Sequence, residues 1–151
     1  MAKILWVDDE IEFLKPHIIF LQNKGHEVDT ANNGEDALEL TETTNYDIIF
    51  LDEMMPGMDG LSVLEKIKDK SPYLKVVMVT KSEEESLMEE AIGAKIDDYL
   101  TKPVNPSQIL LAIKKQLESG EISQRKMTLD TVSYMRKISE KLYNIEKPDD
   151  W

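Results

Sequence analysis

The sequence predicts an α/β protein in which helices cover both faces of a parallel sheet. Two features of the chain indicate this fold. Short apolar runs alternate with longer amphipathic stretches, which is typical of βα units. Three of these runs, at residues 4–7, 48–51 and 76–79, are almost continuously apolar, as expected for strands buried on both faces. A chain of 151 residues favours one domain around such a sheet.

The apolar runs predict strands at residues 3–7, 26–31, 47–51, 75–79 and 96–100. The second strand alternates polar and apolar residues, so we place it at an edge of the sheet. The amphipathic stretches predict helices at residues 10–24, 34–44, 59–70, 83–92 and 106–118. Pro16 lies inside the first of these helices and should kink it or mark its true beginning.

A separate helical segment is expected beyond the fifth helix. Ser119-Gly120 is a typical helix C-terminus, so the fifth helix is predicted to end there. From about residue 123 to residue 144, apolar residues recur at spacings of three and four; they include Val132, Met135, Ile138 and Leu142. Such a stripe needs a partner to cover it. We therefore predict a domain at 1–118 and an amphipathic helical extension at 119–151.

Composition and charge exclude several classes of protein. The chain has no cysteine, no apolar run long enough to span a membrane and no signal-peptide core, so we expect a cytoplasmic protein without membrane insertion. Its net charge is −12. Residues 1–118 carry 24 acidic against 12 basic residues, and this excess opposes direct binding of nucleic-acid phosphates.

Polar side chains follow the predicted strands at the points where those strands end. Asp8 and Asp9 follow the first strand, and Asp52 follows the third. Thr80 and Lys102 follow the fourth and fifth strands. The carboxyl ends of parallel strands meet at one edge of a sheet, where open α/β sheets bind ligands. Three carboxylates gathered there would repel one another, and a divalent cation resolves this repulsion. Lys102 and Thr80 could then meet an anion, which indicates transfer of a phosphoryl group onto an aspartate.

These residues stand in four motifs: Val7-Asp8-Asp9-Glu10, Leu51-Asp52-Glu53-Met54-Met55-Pro56-Gly57-Met58-Asp59-Gly60, Val79-Thr80 and Asp98-Tyr99-Leu100-Thr101-Lys102-Pro103. Taken together and in this order, the motifs resemble the receiver (CheY-like) domain of two-component response regulators. The resemblance covers about residues 1–118. It implies a five-stranded, doubly wound parallel sheet in the order 2-1-3-4-5, with helices on both faces.

The resemblance also implies a role for each site residue. Asp52 would accept the phosphoryl group from a sensor histidine kinase. Mg²⁺, with Mn²⁺ as an alternative, would be bound by Asp8, Asp9, Asp52 and the backbone carbonyl of Met54. Lys102 would pair with Asp52 before transfer and with phosphoryl oxygens afterwards. Such a domain is a phosphoacceptor that assists its own phosphotransfer and dephosphorylation, and is not an enzyme in the ordinary sense.

A switch is implied beside this site. Thr80 would donate its hydroxyl to the new phosphoryl group and move inward, and Tyr99 would follow it from an exposed to a buried position. This shift would remodel the face formed by helix 4, strand 5 and helix 5 of the prediction, at 83–92, 96–100 and 106–118. The Lys102–Pro103 peptide bond is expected to be cis, which would fix where the lysine points.

Two residues depart from the usual receiver pattern. Lys81 stands where the family usually has a small residue, and Met54 places a bulky apolar side chain at the same opening. Lys81 either extends into solvent or reaches Glu53 or the phosphoryl group. We take both residues as candidate modulators that hinder the attacking water and lengthen the lifetime of phosphoaspartate.

A narrower resemblance concerns what the receiver controls. Residues 4–10 and 131–137 resemble PorX-type response regulators of type IX secretion, in which a helical segment links the receiver to a phosphatase-like output domain. The chain would then be the N-terminal part of such a regulator. A homodimer formed on phosphorylation is left open, because the predicted helix at 83–92 is acidic where the family's common dimer face is basic.

Two other functions are consistent with the same residues. One is a pseudo-receiver that acts only as a docking module, although the complete set of site residues argues against it. The other is a Mg²⁺-dependent phosphohydrolase with an aspartyl nucleophile of the haloacid dehalogenase type. That class has a D-x-D pair after its first strand, whereas this chain has the adjacent pair Asp8-Asp9.

Overall fold

One parallel sheet of five strands forms the centre of the fold. The computed structural model describes residues 1–81, 93 and 96–129. Its strands, β1 to β5, are Lys3–Val7, Glu27–Ala31, Ile48–Leu51, Lys75–Thr80 and Asp98–Thr101. Their order across the sheet is β2-β1-β3-β4-β5, and all neighbouring pairs are parallel. The predicted fold, including the edge position of the second strand, is confirmed.

Helices connect these strands. A 3-10 helix at Ile11–Leu14 precedes α1, and the helices α1 to α4 are Lys15–Asn23, Gly34–Thr43, Gly60–Lys70 and Pro106–Leu129. The helix predicted at 83–92, with its acidic residues Glu83, Glu84, Glu85, Glu89 and Glu90, lies outside the described residues. So does most of the apolar stripe predicted in the C-terminal extension. Within the described part of the chain, no helix is long and apolar enough to cross a membrane.

Proline and short polar side chains set where the helices begin. Pro16 is in the first turn of α1, where its missing N–H costs no intrahelical bond, so it marks the true beginning of that helix. Asn33 and Asp59 cap α2 and α3, since their side chains accept the backbone N–H of Asp36 and Ser62. The cap at Asp59 fixes the end of the loop that runs from β3 to α3.

The predicted end of the last helix is wrong. α4 runs through Gly120 and ends at Leu129, nine residues beyond the glycine. A single glycine costs a helix only about 1 kcal/mol relative to alanine. The residues that follow it, Glu121 to Met127, contain several good helix formers and no proline, so helical backbone continues.

The sheet is buried on both faces. Alternate residues of a strand point to opposite faces of the sheet. In β1 and β3, residues on both faces are 0% exposed: Ile4, Leu5, Trp6, Val7, Ile48, Ile49, Phe50 and Leu51. On one face, Leu5, Ile49 and Met78 pack in a cluster with residues that include Val63 and Leu64 of α3. On the other face, the rings of Trp6 and Phe50 pack with their centroids 5.2 Å apart. Strands fixed in this way hold their carboxyl ends in register.

The chain divides into two compact units. The first is Met1–Gln116, which contains the whole sheet. The second begins at Leu117 and includes the C-terminal residues. The site described below lies within the first unit.

Candidate phosphoacceptor site

Four strand ends bring the predicted site residues together. Asp8 and Asp9 follow β1, Asp52 follows β3, Thr80 is the last residue of β4 and Lys102 follows β5. Backbone hydrogen bonds of the sheet extend into the site. The N–H of Asp52 donates to the carbonyl of Val7 at 2.9 Å, and the N–H of Lys102 donates to the carbonyl of Thr80 at 2.8 Å. The backbone of Asp52 and that of Lys102 are therefore held by the same kind of hydrogen bond as the strands before them.

Three carboxylates form the acidic centre of this site. One oxygen from each of Asp8, Asp9 and Asp52 lies within 4.8 Å of the others. Asp8 and Asp52 are buried, at 1% and 4% exposed, whereas Asp9 is exposed. Buried carboxylates this close repel one another unless a positive charge lies between them. Oxygen ligands at this spacing, open to solvent on one side, suit a hard divalent cation that keeps some of its waters.

Lys102 supplies the positive charge from within the chain. Its Nζ lies 2.6 Å from Oδ2 of Asp8 and 3.7 Å from Oδ2 of Asp52. The nearer partner is thus Asp8, not Asp52 as expected. Oδ1 of Asp8 already accepts the N–H of Glu10 at 2.8 Å, which leaves Oδ2 for the lysine. Lys102 lies between the two buried carboxylates and pairs with both.

Burial and charge change the pKa values of the two central groups. Burial raises the pKa of Asp52 to about 7, with a further contribution from the negative charge of Asp8 and opposition from Lys102. Burial alone would lower the pKa of Lys102. Its hydrogen bond to Asp8 and the nearby carboxylates outweigh that effect, so the pKa of Lys102 is raised. The lysine therefore stays charged while the carboxyl of Asp52 is poised to change its charge near neutral pH.

The two predicted switch residues lie on neighbouring strands. Thr80 is fully buried at the end of β4. Tyr99 is half-buried in β5, opposite Met78, and packs against the apolar cluster on that face of the sheet. The ring is therefore neither in the exposed nor in the fully buried position that the resemblance implies for its two states.

The remaining predicted residues lie around the opening of the site. The Lys102–Pro103 peptide bond is cis, as expected. The side chain of Met54 is 62% exposed, and its backbone N–H donates to Oδ1 of Asp52 at 3.4 Å. Lys81 is exposed and lines a crevice of about 390 Å³ that Asp8 and Lys102 also line.

His17 is a residue whose contacts sequence reasoning missed. Its Nε2–H donates to the carbonyl of Val104 at 2.7 Å, across 87 residues of sequence, and its ring packs edge-on against Trp6. No local pattern could have indicated this bond, because the acceptor is a backbone atom of a distant loop.

Comparison with known proteins decides the family. The profile of the response regulator receiver domain matches residues 4–114. This chain belongs to the response regulator receiver family. Receivers of this family interact with histidine kinases and with the output domains of full-length regulators. They bind Mg²⁺ at an acidic cluster, and this receiver carries such a cluster at Asp8, Asp9 and Asp52.

Individual relatives agree with this assignment. The receiver is 36% identical over 116 residues to the transcriptional regulatory protein ResD of Bacillus subtilis, covering 77% of this chain and 48% of that protein. It is 35% identical over 128 residues to a cyclic di-GMP phosphodiesterase of Thermotoga maritima, covering 85% of this chain and 33% of that protein. It therefore spans half or less of these relatives, which differ in what they do.

A solved structure matches along most of this receiver. The response regulator receiver domain protein (CheY-like) from Methanospirillum hungatei superposes with a TM-score of 0.78 at 31% identity. The match covers 82% of this chain and 98% of that one. The part that matches thus corresponds to almost the whole of that receiver domain.

Proposed function

We propose that this receiver is activated by phosphorylation, with Asp52 as the acceptor of a phosphoryl group from a sensor histidine kinase. The observation that carries the proposal is the meeting of Asp8, Asp9 and Asp52 within 4.8 Å of one another, with Nζ of Lys102 between the two buried members. Separate strands deliver these groups to one edge of the sheet. Of the three carboxylates, Asp52 is the one that follows β3, the middle strand of the sheet, and its Oδ2 lies 3.7 Å from Nζ of Lys102.

The chemistry follows from this arrangement. A carboxylate oxygen of Asp52 attacks phosphorus, a new O–P bond forms, and the P–N bond to the kinase histidine breaks with its electron pair leaving on nitrogen. The transferring group carries negative charge on its equatorial oxygens, so catalysis depends on nearby positive charge and on alignment. Lys102, whose amine is already held 3.7 Å from Asp52, supplies such a charge.

Asp8, Asp9 and Asp52 would hold Mg²⁺ or Mn²⁺, with the backbone carbonyl of Met54 as a further ligand. A bound divalent cation supplies charge neutralisation for the buried carboxylates and for the phosphoryl oxygens. The protein's own contribution is to keep Asp8 in place through the N–H of Glu10 and to orient Asp52 through the N–H of Met54. Ionised Asp52 is the nucleophile, and neighbouring positive charge favours that form.

Thr80 and Tyr99 would change position on phosphorylation and so alter the surface of the receiver. The hydroxyl of Thr80 would donate to the phosphoryl group, and the ring of Tyr99 would move towards the core. Thr80 ends the strand next to the acceptor strand, and Tyr99 lies on the strand beyond it, so a contact at Asp52 reaches both through paired strands. The ring of Tyr99 is half-buried, between the exposed and the buried position that the two states of the switch would have.

The activated receiver would control an output domain in the same polypeptide, in the cytoplasm, and phosphorylation could act by forming a homodimer. Direct binding of nucleic acid by the receiver itself is opposed by its acidic surface. The narrower proposal, control of type IX secretion by a PorX-type regulator, is supported by the sequence stretches at 4–10 and 131–137 alone. The second stretch lies outside the described residues.

The test is intact-mass spectrometry after incubation with acetyl phosphate, with and without Mg²⁺. Wild-type protein should gain one phosphoryl group only when Mg²⁺ is present, and Asp52→Asn should gain none. Asp69→Asn is the matched control, since it removes an exposed carboxylate from α3 and should behave like wild type. A phosphoryl group on the Asp52→Asn protein would contradict the assignment of the acceptor, and turnover of a generic phosphate ester would favour a hydrolase instead.

A further inference from the structure

We infer that His17 is a positioning residue for phosphoryl transfer, which acts by holding the loop that carries Lys102. This inference rests on the proposed function, because it concerns the rate at which Asp52 is phosphorylated. His17 belongs to α1 and contacts neither a predicted metal ligand nor the acceptor through any hydrogen bond of the described structure. Its influence would be transmitted through the backbone of Val104.

The loop after β5 is anchored at both ends by other bonds. At its beginning, the N–H of Lys102 donates to the carbonyl of Thr80 at 2.8 Å. At its end, Asn105 and Gln108 bond reciprocally: each side chain accepts the other's backbone N–H, both at 2.9 Å. Between these anchors, the bond from His17 to the carbonyl of Val104 holds the middle of the loop against α1. Val104 follows Lys102 by only two residues.

The bond fixes both the histidine and the loop. A backbone carbonyl can only accept a hydrogen bond, so Nε2 of His17 must carry a hydrogen. The ring lies edge-on to Trp6, at 6.0 Å between centroids and 77° between planes. Because Trp6 is fully buried in β1, two residues before Asp8, His17 connects the strand that delivers Asp8 with the loop that delivers Lys102.

Removal of the donor would leave a largely buried carbonyl without its partner. Val104 is 8% exposed, so its carbonyl would have to find another donor or move towards solvent. Movement of Val104 would carry Lys102 with it, and Nζ of that lysine now lies 2.6 Å from Asp8. Misplacement of a charged group by about 1 Å can slow a reaction strongly. The loss should therefore fall on transfer to Asp52 rather than on metal binding.

Two substitutions separate the hydrogen bond from the packing. His17→Phe keeps an aromatic ring against Trp6 but has no donor. His17→Gln loses the ring but has an amide that can reach the carbonyl of Val104. With acetyl phosphate and saturating Mg²⁺, we expect His17→Phe to lower the maximal rate of phosphorylation about tenfold, and His17→Gln to stay within about threefold of wild type. The Mg²⁺ concentration for half-maximal rate should change less than about twofold for both.

The same substitution in a Lys102→Gln background tests the route of the effect. If His17 acts through the lysine, His17→Phe should lower the already slow rate of that protein by less than about twofold. An equal loss in both backgrounds would overturn the inference, because a merely structural role would persist without Lys102. Equal rates for wild type and His17→Phe would overturn it as well, as would an equal loss for the Phe and Gln variants.

Folding and the proposed function are checked in the same experiment. Thermal melting identifies any variant that does not fold, and His17→Leu, which is smaller and also lacks a donor, replaces His17→Phe in that case. Absence of a phosphoryl group on wild-type protein would overturn the proposed function together with this inference. Phosphorylation of wild type with unchanged rates in the variants would overturn the inference about His17 alone.

Discussion

At the scale of single residues, Asp52 experiences two opposed demands. A nucleophile must be ionised, yet this carboxyl is 4% exposed and lies beside Asp8, and both conditions disfavour the charge. Burial is the larger cause, and it raises the pKa of Asp52 to about 7. The positive charge of Lys102 and the N–H of Met54 oppose the shift without cancelling it. Ionised Asp52 therefore destabilises the folded state unless a further positive charge, such as a bound divalent cation, lies beside it.

This cost predicts how stability depends on pH. Well below its ordinary pKa of 3.8, Asp52 is protonated in folded and unfolded chains alike, so its titration stabilises neither state. Between its ordinary pKa of 3.8 and its folded pKa of about 7, the unfolded chain ionises first, so stability falls as the pH rises. Without divalent metal, Asp52→Asn should therefore raise the free energy of unfolding by roughly 1–3 kcal/mol at about pH 8.

The measurement is urea denaturation of wild type and Asp52→Asn in a chelator, at about pH 4 and about pH 8. The free energy of unfolding should rise little on substitution at the lower pH and much more at the higher pH. Asp69→Asn controls for the loss of an exposed charge. A gain that is equal at both pH values would show that the asparagine stabilises by packing and not by relief of the buried charge.

Met54 and Lys81 concern the lifetime of the phosphorylated state. The side chain of Met54 is 62% exposed next to the backbone N–H that bonds Asp52, and Lys81 lines the crevice beside Lys102. If they hinder attacking water, Met54→Asn with Lys81→Ala should raise the rate of dephosphorylation, by roughly threefold or more. Decay of the phosphorylated mass after removal of acetyl phosphate measures it. Lys66→Ala removes a comparable exposed lysine from α3 as the control, and an unchanged rate would dismiss both residues as modulators.

At the scale of elements, the five strands and the helices α2 and α3 were predicted closely, whereas the beginning of α1 and the end of α4 were not. Each strand was located within about two residues, and β1, β3 and β4 were the clearest, since a strand buried on both faces leaves an almost unbroken apolar run. The strands end at the carboxyl edge of the sheet, so the polar residues that follow them indicated Asp8, Asp52 and Lys102 as site residues. Which carboxylate Lys102 approaches most closely could not be predicted, because that depends on the bond from Glu10 to Asp8.

Helix ends depended on weaker signals. Pro16 correctly marked a beginning, because the proline ring restricts the backbone wherever it stands. Gly120 did not mark an end, because a glycine penalty of about 1 kcal/mol is overcome by neighbours with high helix propensity. His17 shows the limit more clearly. Its position on α1 followed from periodicity, but its partner is a backbone atom 87 residues away, which side-chain pattern cannot reveal.

At the scale of the whole molecule, the site depends on contacts between distant parts of the first unit. The ion pair of Lys102 with Asp8 joins residues 94 positions apart, and both belong to Met1–Gln116. The last described side-chain anchor of α4 to the sheet is Gln116, whose amide donates to the carbonyl of Asp97 at 3.2 Å. All groups of the proposed mechanism therefore lie on the N-terminal side of residue 117.

This division predicts that a fragment ending at residue 118 keeps the chemistry. It retains Gln116 and every strand, so we expect phosphorylation of Asp52 by acetyl phosphate at a rate within about twofold of that of the full chain. Intact-mass time courses of the two proteins measure this. Light scattering of the two phosphorylated proteins compares their association. Association that persists in the fragment would exclude residues 119–151 as its basis. A fragment that folds but is phosphorylated many times more slowly would instead show that the extension takes part in the reaction.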